Sequence, residues 1–120
     1  MQLKITHSTI IKEIQIAFNQ AYPNLWIEFY SSSGSNGNHF RAEKIQPKMP
    51  LSSLGYIQEA RYIDITHGRS VEQLEYDFCE TLGLKIKVFR KSGNVWVGTS
   101  LTGNWSLANQ NWQGDQVFNE

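Results

Sequence analysis

Ile5-Thr6-His7 returns as Ile65-Thr66-His67, sixty residues further on, and the match does not stop at the tripeptide. At the same offset Ile11, Ile14, Phe18 and Tyr22 stand opposite Val71, Leu74, Phe78 and Leu82. That i, i+3, i+7, i+11 series marks one stripe of an α-helix. Near Pro23 one residue drops out, and at an offset of fifty-nine Leu25, Ile27 and Phe29 match Leu84, Ile86 and Val88. Their alternation belongs to a strand with one buried face. Ser33-Gly34 then meets Ser92-Gly93, where both halves are expected to turn. The hydrophobic period changes from helical to strand at the same place in each half. The pattern predicts a single domain, 1–120, containing an internal repeat of about 2–58 and 61–113.

Each half reads strand, helix, strand, strand and a short helical turn. The first half places these at 2–6, 9–22, 24–30, 39–45 and about 51–54. The second places them at 61–66, 70–82, 84–91, 94–99 and about 106–110. Thr6 or Ser8, and Gly68 or Ser70, are the expected N-caps of the two helices. Gly83 is the expected C′ residue of the second helix, and Pro23 ends the first. Lys91-Ser92-Gly93-Asn94 predicts a tight hairpin, whereas Ser31 to Asn38 predicts a longer loop. The expected class is α+β: two pseudo-symmetric βαββ repeats with two helices packed on a mixed or antiparallel sheet, β-grasp-like or ferredoxin-like.

The run from 9 to 66 has the element order of a ubiquitin-like β-grasp domain after its first hairpin. Pro50-Leu51-Ser52-Ser53-Leu54-Gly55 and Arg61-Tyr62-Ile63-Asp64-Ile65 resemble the turn and final strand of that fold. The resemblance covers about half the chain and implies a fold only. The terminal Gln116-Val117-Phe118-Asn119-Glu120 lacks a Gly-Gly tail, so conjugation to other proteins is not expected.

Eleven Lys+Arg balance eleven Asp+Glu, which removes any global charge argument for binding nucleic acid or anionic membranes. The single Cys79 excludes an internal disulfide and a Cys-rich zinc module. No run approaches the apolar length of a membrane span, and MQLKITHS lacks the apolar core of a signal peptide. A cytoplasmic protein without a membrane partner is expected. Gly34, Gly37 and Gly55 fit no phosphate-loop spacing, so no cofactor is expected. Ser52, Ser53 and Ser70 lack a nucleophile-elbow context. Cys79, near the carbonyl end of its helix, is disfavoured as a thiolate and expected half-buried and inert. An enzyme is therefore not expected.

Four sets of residues remain as candidates. Trp26, Glu28 and Tyr30 point outward from one strand, and Phe89 and Trp96 from the second hairpin, as an exposed aromatic surface for a protein partner of unknown identity. Glu28 on one face and Lys87 on another would also suit a homodimer. Lys85, Lys87, Arg90 and Lys91 form a basic hairpin that suits phosphate backbones, with nucleic acid the less favoured partner. The same charges also blunt an exposed strand edge. His7 and His67 stand at equivalent strand-to-helix junctions and are weak metal candidates, since two imidazoles are an incomplete zinc site. Thr-His at both junctions equally suits plain capping and turn chemistry. Trp105 and Trp112, interleaved with Asn and Gln, suit a carbohydrate site, a protein interface or a lid over the core.

Overall fold

A computed structural model describes residues 1–33, 41–54 and 59–116. Its elements follow the order β1 (Gln2–Ile5), α1 (Ile11–Ala21), β2 (Leu25–Ser33), β3 (Arg41–Lys44), a 3-10 turn at Leu51–Ser53, then β4 (Arg61–Asp64), α2 (Val71–Leu82), β5 (Lys85–Ser92), β6 (Val95–Gly98), a 3-10 turn at Ser100–Thr102 and α3 (Leu107–Gln116). The class is α+β. Every strand pair is antiparallel, in two sheets: a four-stranded sheet ordered β3-β2-β5-β6 and a two-stranded ribbon of β1 with β4. The strand after the Leu51 turn thus joins β1 in the ribbon, outside the sheet that holds β2 and β3. A β-grasp domain would keep that last strand in one sheet with its predecessors.

The periodicities place the core. Ile11, Ile14 and Phe18 of α1, and Val71, Leu74 and Phe78 of α2, are buried against Leu25, Ile27, Phe29, Ile86 and Val88 of the central strands. Leu3, Ile5, Ile63 and Ile65 bring the ribbon into the same cluster. The two halves interlock through rings and one hydroxyl. Phe29 and Phe78 meet edge to face at 5.3 Å. The Tyr22 hydroxyl donates to the Ile65 carbonyl (2.6 Å) and lies 3.2 Å from Nδ1 of His67. Burial, and then the charge of Asp64, raises the Tyr22 phenol above its ordinary range.

Matched backbone bonds hold the short turns. Leu51 N–H donates to Thr9 O and Leu107 N–H to Arg69 O, at 2.9 and 2.7 Å. Ser52 N–H donates to His7 O and Ala108 N–H to His67 O, at 2.9 and 3.2 Å. Leu51 and Leu107 are both fully inside, so each closes one end of the core.

Four local expectations change. The N-cap of α1 is Ile10, neither of its candidates, whereas α2 is capped by Ser70 as expected. Thr6 and Ser8 are spent instead on the turn before α1, where the Thr6 N–H donates to Thr9 Oγ1. Ile10 has no side-chain acceptor, and its own N–H donates to Glu13 Oε1 at 2.8 Å. Ser31 to Ser33 extend β2 because β3 pairs with them, so the expected Ser31–Asn38 loop begins later; residues 34–40 lie outside the described residues. The expected short turn at 106–110 is the start of the ten-residue α3. Cys79 is exposed, since it flanks the buried stripe of α2 on the solvent side.

Candidate functional site

Because Leu25, Ile27 and Phe29 face the core, strand alternation turns Trp26, Glu28 and Tyr30 to the other face of the sheet. The same rule turns Lys85, Lys87, Phe89 and Lys91 outward from β5. The register sets them side by side: Trp26 opposite Phe89, Glu28 opposite Lys87, Tyr30 opposite Lys85. On β6, Trp96 pairs with Lys91 and Gly98 with Phe89. Gly98 carries no side chain and a Cβ there would meet nothing within 4 Å, so Phe89 is open on that flank. Trp26 and Trp96, two strands apart, approach to 6.4 Å between ring centroids.

The result is an open depression of about 220 Å³ lined by Trp26, Glu28, Lys44, Phe89 and Trp96. Trp96 is 42% exposed, whereas Trp26 and Phe89 are half-buried. Lys44 reaches Glu28 at 2.9 Å, and the hydrogen bond and charge of Glu28 raise the Lys44 ammonium above the usual lysine range. The other Glu28 oxygen accepts from Gln15 Nε2 at 2.6 Å, which holds the carboxylate down at the rim. Lys87 Nζ stands 5.2 Å from the Tyr30 ring centroid, within cation–π range. Five residues expected to bind a protein, Trp26, Glu28, Tyr30, Phe89 and Trp96, therefore share one face.

Two of the other expectations are corrected. Glu28 and Lys87 do not mark separate complementary faces: they are direct cross-strand neighbours on one face. Of the basic set, Lys85, Lys87 and Lys91 share the outward parity, but Arg90 has the inward parity of Ile86 and Val88. Its Nη1 donates to Gln110 Oε1 at 2.7 Å and its guanidinium lies 5.4 Å from the Trp105 ring centroid. Arg90 thus binds α3 to the sheet. Sequence reasoning missed Lys44, which joins the face only because β3 pairs Lys44 with Tyr30. The alternating RAEK segment allowed that outward lysine but not its neighbour.

The histidines do not converge. Their strands do lie together, but the antiparallel register pairs Gln2 with Asp64 and Ile5 with Arg61, which carries His7 and His67 past opposite ends of the ribbon. What the two junctions share is the backbone: each histidine carbonyl accepts from the first turn of a later short helix. Among the described residues, no group of three His, Cys, Asp or Glu side chains could hold a metal ion. Leu107 rather than the tryptophans covers the core, with Trp105 stacked on Arg90 and Trp112 54% exposed. Among the described residues no helix is long and apolar enough to cross a membrane. No protein-family model matches the chain, and neither the curated proteins nor the solved structures contain a match.

Proposed function

We propose that the chain is a non-catalytic module that binds a protein partner through the open face of its four-stranded sheet. The observation that carries this reading is the meeting of Trp26, Phe89 and Trp96, from three strands, in one depression with the Glu28–Lys44 pair at its rim. An aromatic centre ringed by polar groups is the usual anatomy of an energetic interface, in which a few large side chains contribute most of the affinity. The matched bonds of the two halves support reading them as copies of one ancestral unit, and a cytoplasmic setting belongs to the same reading. The test is capture by the tagged chain from nuclease-treated lysate of its native host. A stoichiometric protein should be retained by the wild type and lost with Trp26→Ala/Trp96→Ala, while thermal unfolding of the variant stays close to that of the wild type. A folded variant that retains the partner rules out this surface.

A second reading has its own observation. Lys85, Lys87, Lys91 and Lys44 interleave with Tyr30 and Phe89 on the same sheet face, and such platforms stack bases of single-stranded nucleic acid. It expects binding that weakens steeply with salt and is lost in Lys85→Glu/Lys87→Glu. Flat titrations with single-stranded RNA and DNA at low salt would dispose of it.

A further inference from the structure

The four-stranded sheet has two edges, β3 and β6, and they differ in chemistry. β3 carries Glu43 and Lys44, the charged kind of edge that resists pairing with another chain. β6 reads Val95-Trp96-Val97-Gly98 and carries no charge. Val95 is 59% exposed, Trp96 is open to solvent and Val97 is half-buried. Gly98 is exposed as well, with open space where a side chain would stand. The hairpin decides which backbone groups this edge offers. Lys91 N–H donates to Asn24 O, towards β2, so Lys91 and Trp96 opposite it form a non-hydrogen-bonded pair. The N–H and C=O of Trp96 therefore point away from β5, and those of Gly98, two residues on, do the same. Among the described residues nothing bonds these groups.

The pattern of β6 is complementary to itself. Two copies paired antiparallel about a twofold axis at Val97 set Trp96 of each opposite Gly98 of the other. Both are hydrogen-bonded pairs, so every outward N–H and C=O of Trp96 and Gly98 finds a partner. Each indole then lies over a residue with no side chain, an arrangement that shelters glycine in a strand. On the opposite sheet face the two Val97 side chains meet across the axis. Sliding the pairing by two residues sets indole against indole or glycine against glycine and loses this fit. Charge does not oppose the pairing. The strand has none, and the β5 strands of the two copies, with their lysines, stand three strand spacings apart, about 14 Å, beyond a screening length of about 8 Å. An acidic or basic segment finds no charge on β6 to select it, whereas a second β6 matches it at each pair. We propose that β6 is the interface of a homodimer, in which two copies pair edge to edge about Val97 and join their four-stranded sheets into one. The pairing uses the edge of the sheet and does not rest on the aromatic depression as a partner site.

The test is analytical ultracentrifugation of the full chain over a range of concentrations. A short edge strand buries a small interface, so a reversible dimer with a Kd on the order of 100 µM is expected. Val97→Lys and Val97→Glu each set like charges directly opposite across the axis and should weaken the dimer at least about tenfold, roughly 1.4 kcal/mol. Mixed in equal amounts, the two variants set Lys against Glu and should recover association. Should either variant not fold, cross-linking decides instead, in a Cys79→Ser background. Val97→Cys should form a disulfide between copies on mild oxidation, because non-hydrogen-bonded partners bring their Cα atoms to about 4.5 Å, within disulfide reach. Val95→Cys, which faces Thr99 of the other copy, should not. Trp26→Ala should leave the dimer unchanged, so failure of the aromatic surface and failure of this interface are distinguishable. The proposal is overturned by a chain that stays monomeric at about 1 mM, by undiminished dimerisation of the folded charged variants, or by no recovery in their mixture. Equal cross-linking from positions 95 and 97, or loss of the dimer in Trp26→Ala, overturns it as well.

Discussion

Gln15 and Glu75 stand at matched places on two helices, and one has donors where the other has only acceptors. Gln15 is fully buried and spends its amide on Ile27 O and Glu28. Glu75 has no such use: burial, and then the negative charge of Glu72, raises its carboxyl above the ordinary range against a smaller opposing effect of Lys85. Between the unfolded and the folded pKa, the folded state therefore holds a proton that the unfolded chain has released. Stability contributed by the protonated form is present below the unfolded pKa and is lost as pH rises through the folded one. Glu75→Gln removes that loss, so its melting temperature should match the wild type near pH 4 and exceed it at pH 7. Thermal melts at the two pH values check this; an equal difference at both would contradict it. Asp64 runs the other way, since hydrogen bonds from the Thr66 hydroxyl and N–H hold its carboxyl below the ordinary range.

At the scale of the element, the two main helices end and begin by different means. The start of α2 carries a full capping box, with Ser70 Oγ accepting from Gln73 N–H and Gln73 Oε1 from Ser70 N–H. Gly83 closes α2 at φ 67°, a left-handed conformation that favours glycine. The helix α3 is held on its flank by paired amides, with Asn24 N–H donating to Asn111 Oδ1 (2.8 Å) and Asn24 Nδ2 to Asn111 O (3.1 Å). One turn on, a Cβ at Gly114 would lie 2.8 Å from Asn24 Cβ and 3.3 Å from Lys91 O. Alanine is the better helix former by about 1 kcal/mol, but the clash is with a Cβ and a backbone oxygen that cannot swing aside. Gly114→Ala should thus destabilise the protein by about 1–2 kcal/mol in urea denaturation. A stabilised variant would mean that α3 sits farther from β2 than described.

At the scale of the molecule, the contacts between halves decide how the chain unfolds. β2 and β5 pair along Leu25–Tyr30, β1 pairs β4, and Phe29 packs on Phe78, so each half completes the other's core. Phe78→Ala removes a fully buried ring at that junction and should cost about 3–5 kcal/mol. Far-ultraviolet circular dichroism and tryptophan fluorescence should still report one coincident transition, because neither half keeps its buried face covered alone. Separate transitions for the two probes would show that the halves fold independently.

Local sequence set the two main helices, the central strands and the sides they bury. The i, i+3, i+7 stripes of α1 and α2 and the alternation of β2 and β5 follow from bond geometry within each segment, and every apolar position on them except Leu82 is buried. The outward set Trp26, Glu28, Tyr30, Phe89 and Trp96 follows from the same parity rule. Tertiary structure alone decided who stands beside whom. Two β-strands of one amphipathic pattern can pair in several orders, and no local rule chose β1 with β4 over a single sheet, or brought Lys44 to Glu28. Direction mattered as much as adjacency. An antiparallel ribbon sends His7 and His67 to opposite ends, and one inward turn of parity gives Arg90 to Gln110 and Trp105. Those outcomes come from long-range pairing and packing, whose partners lie tens of residues apart and leave no periodic mark on the chain.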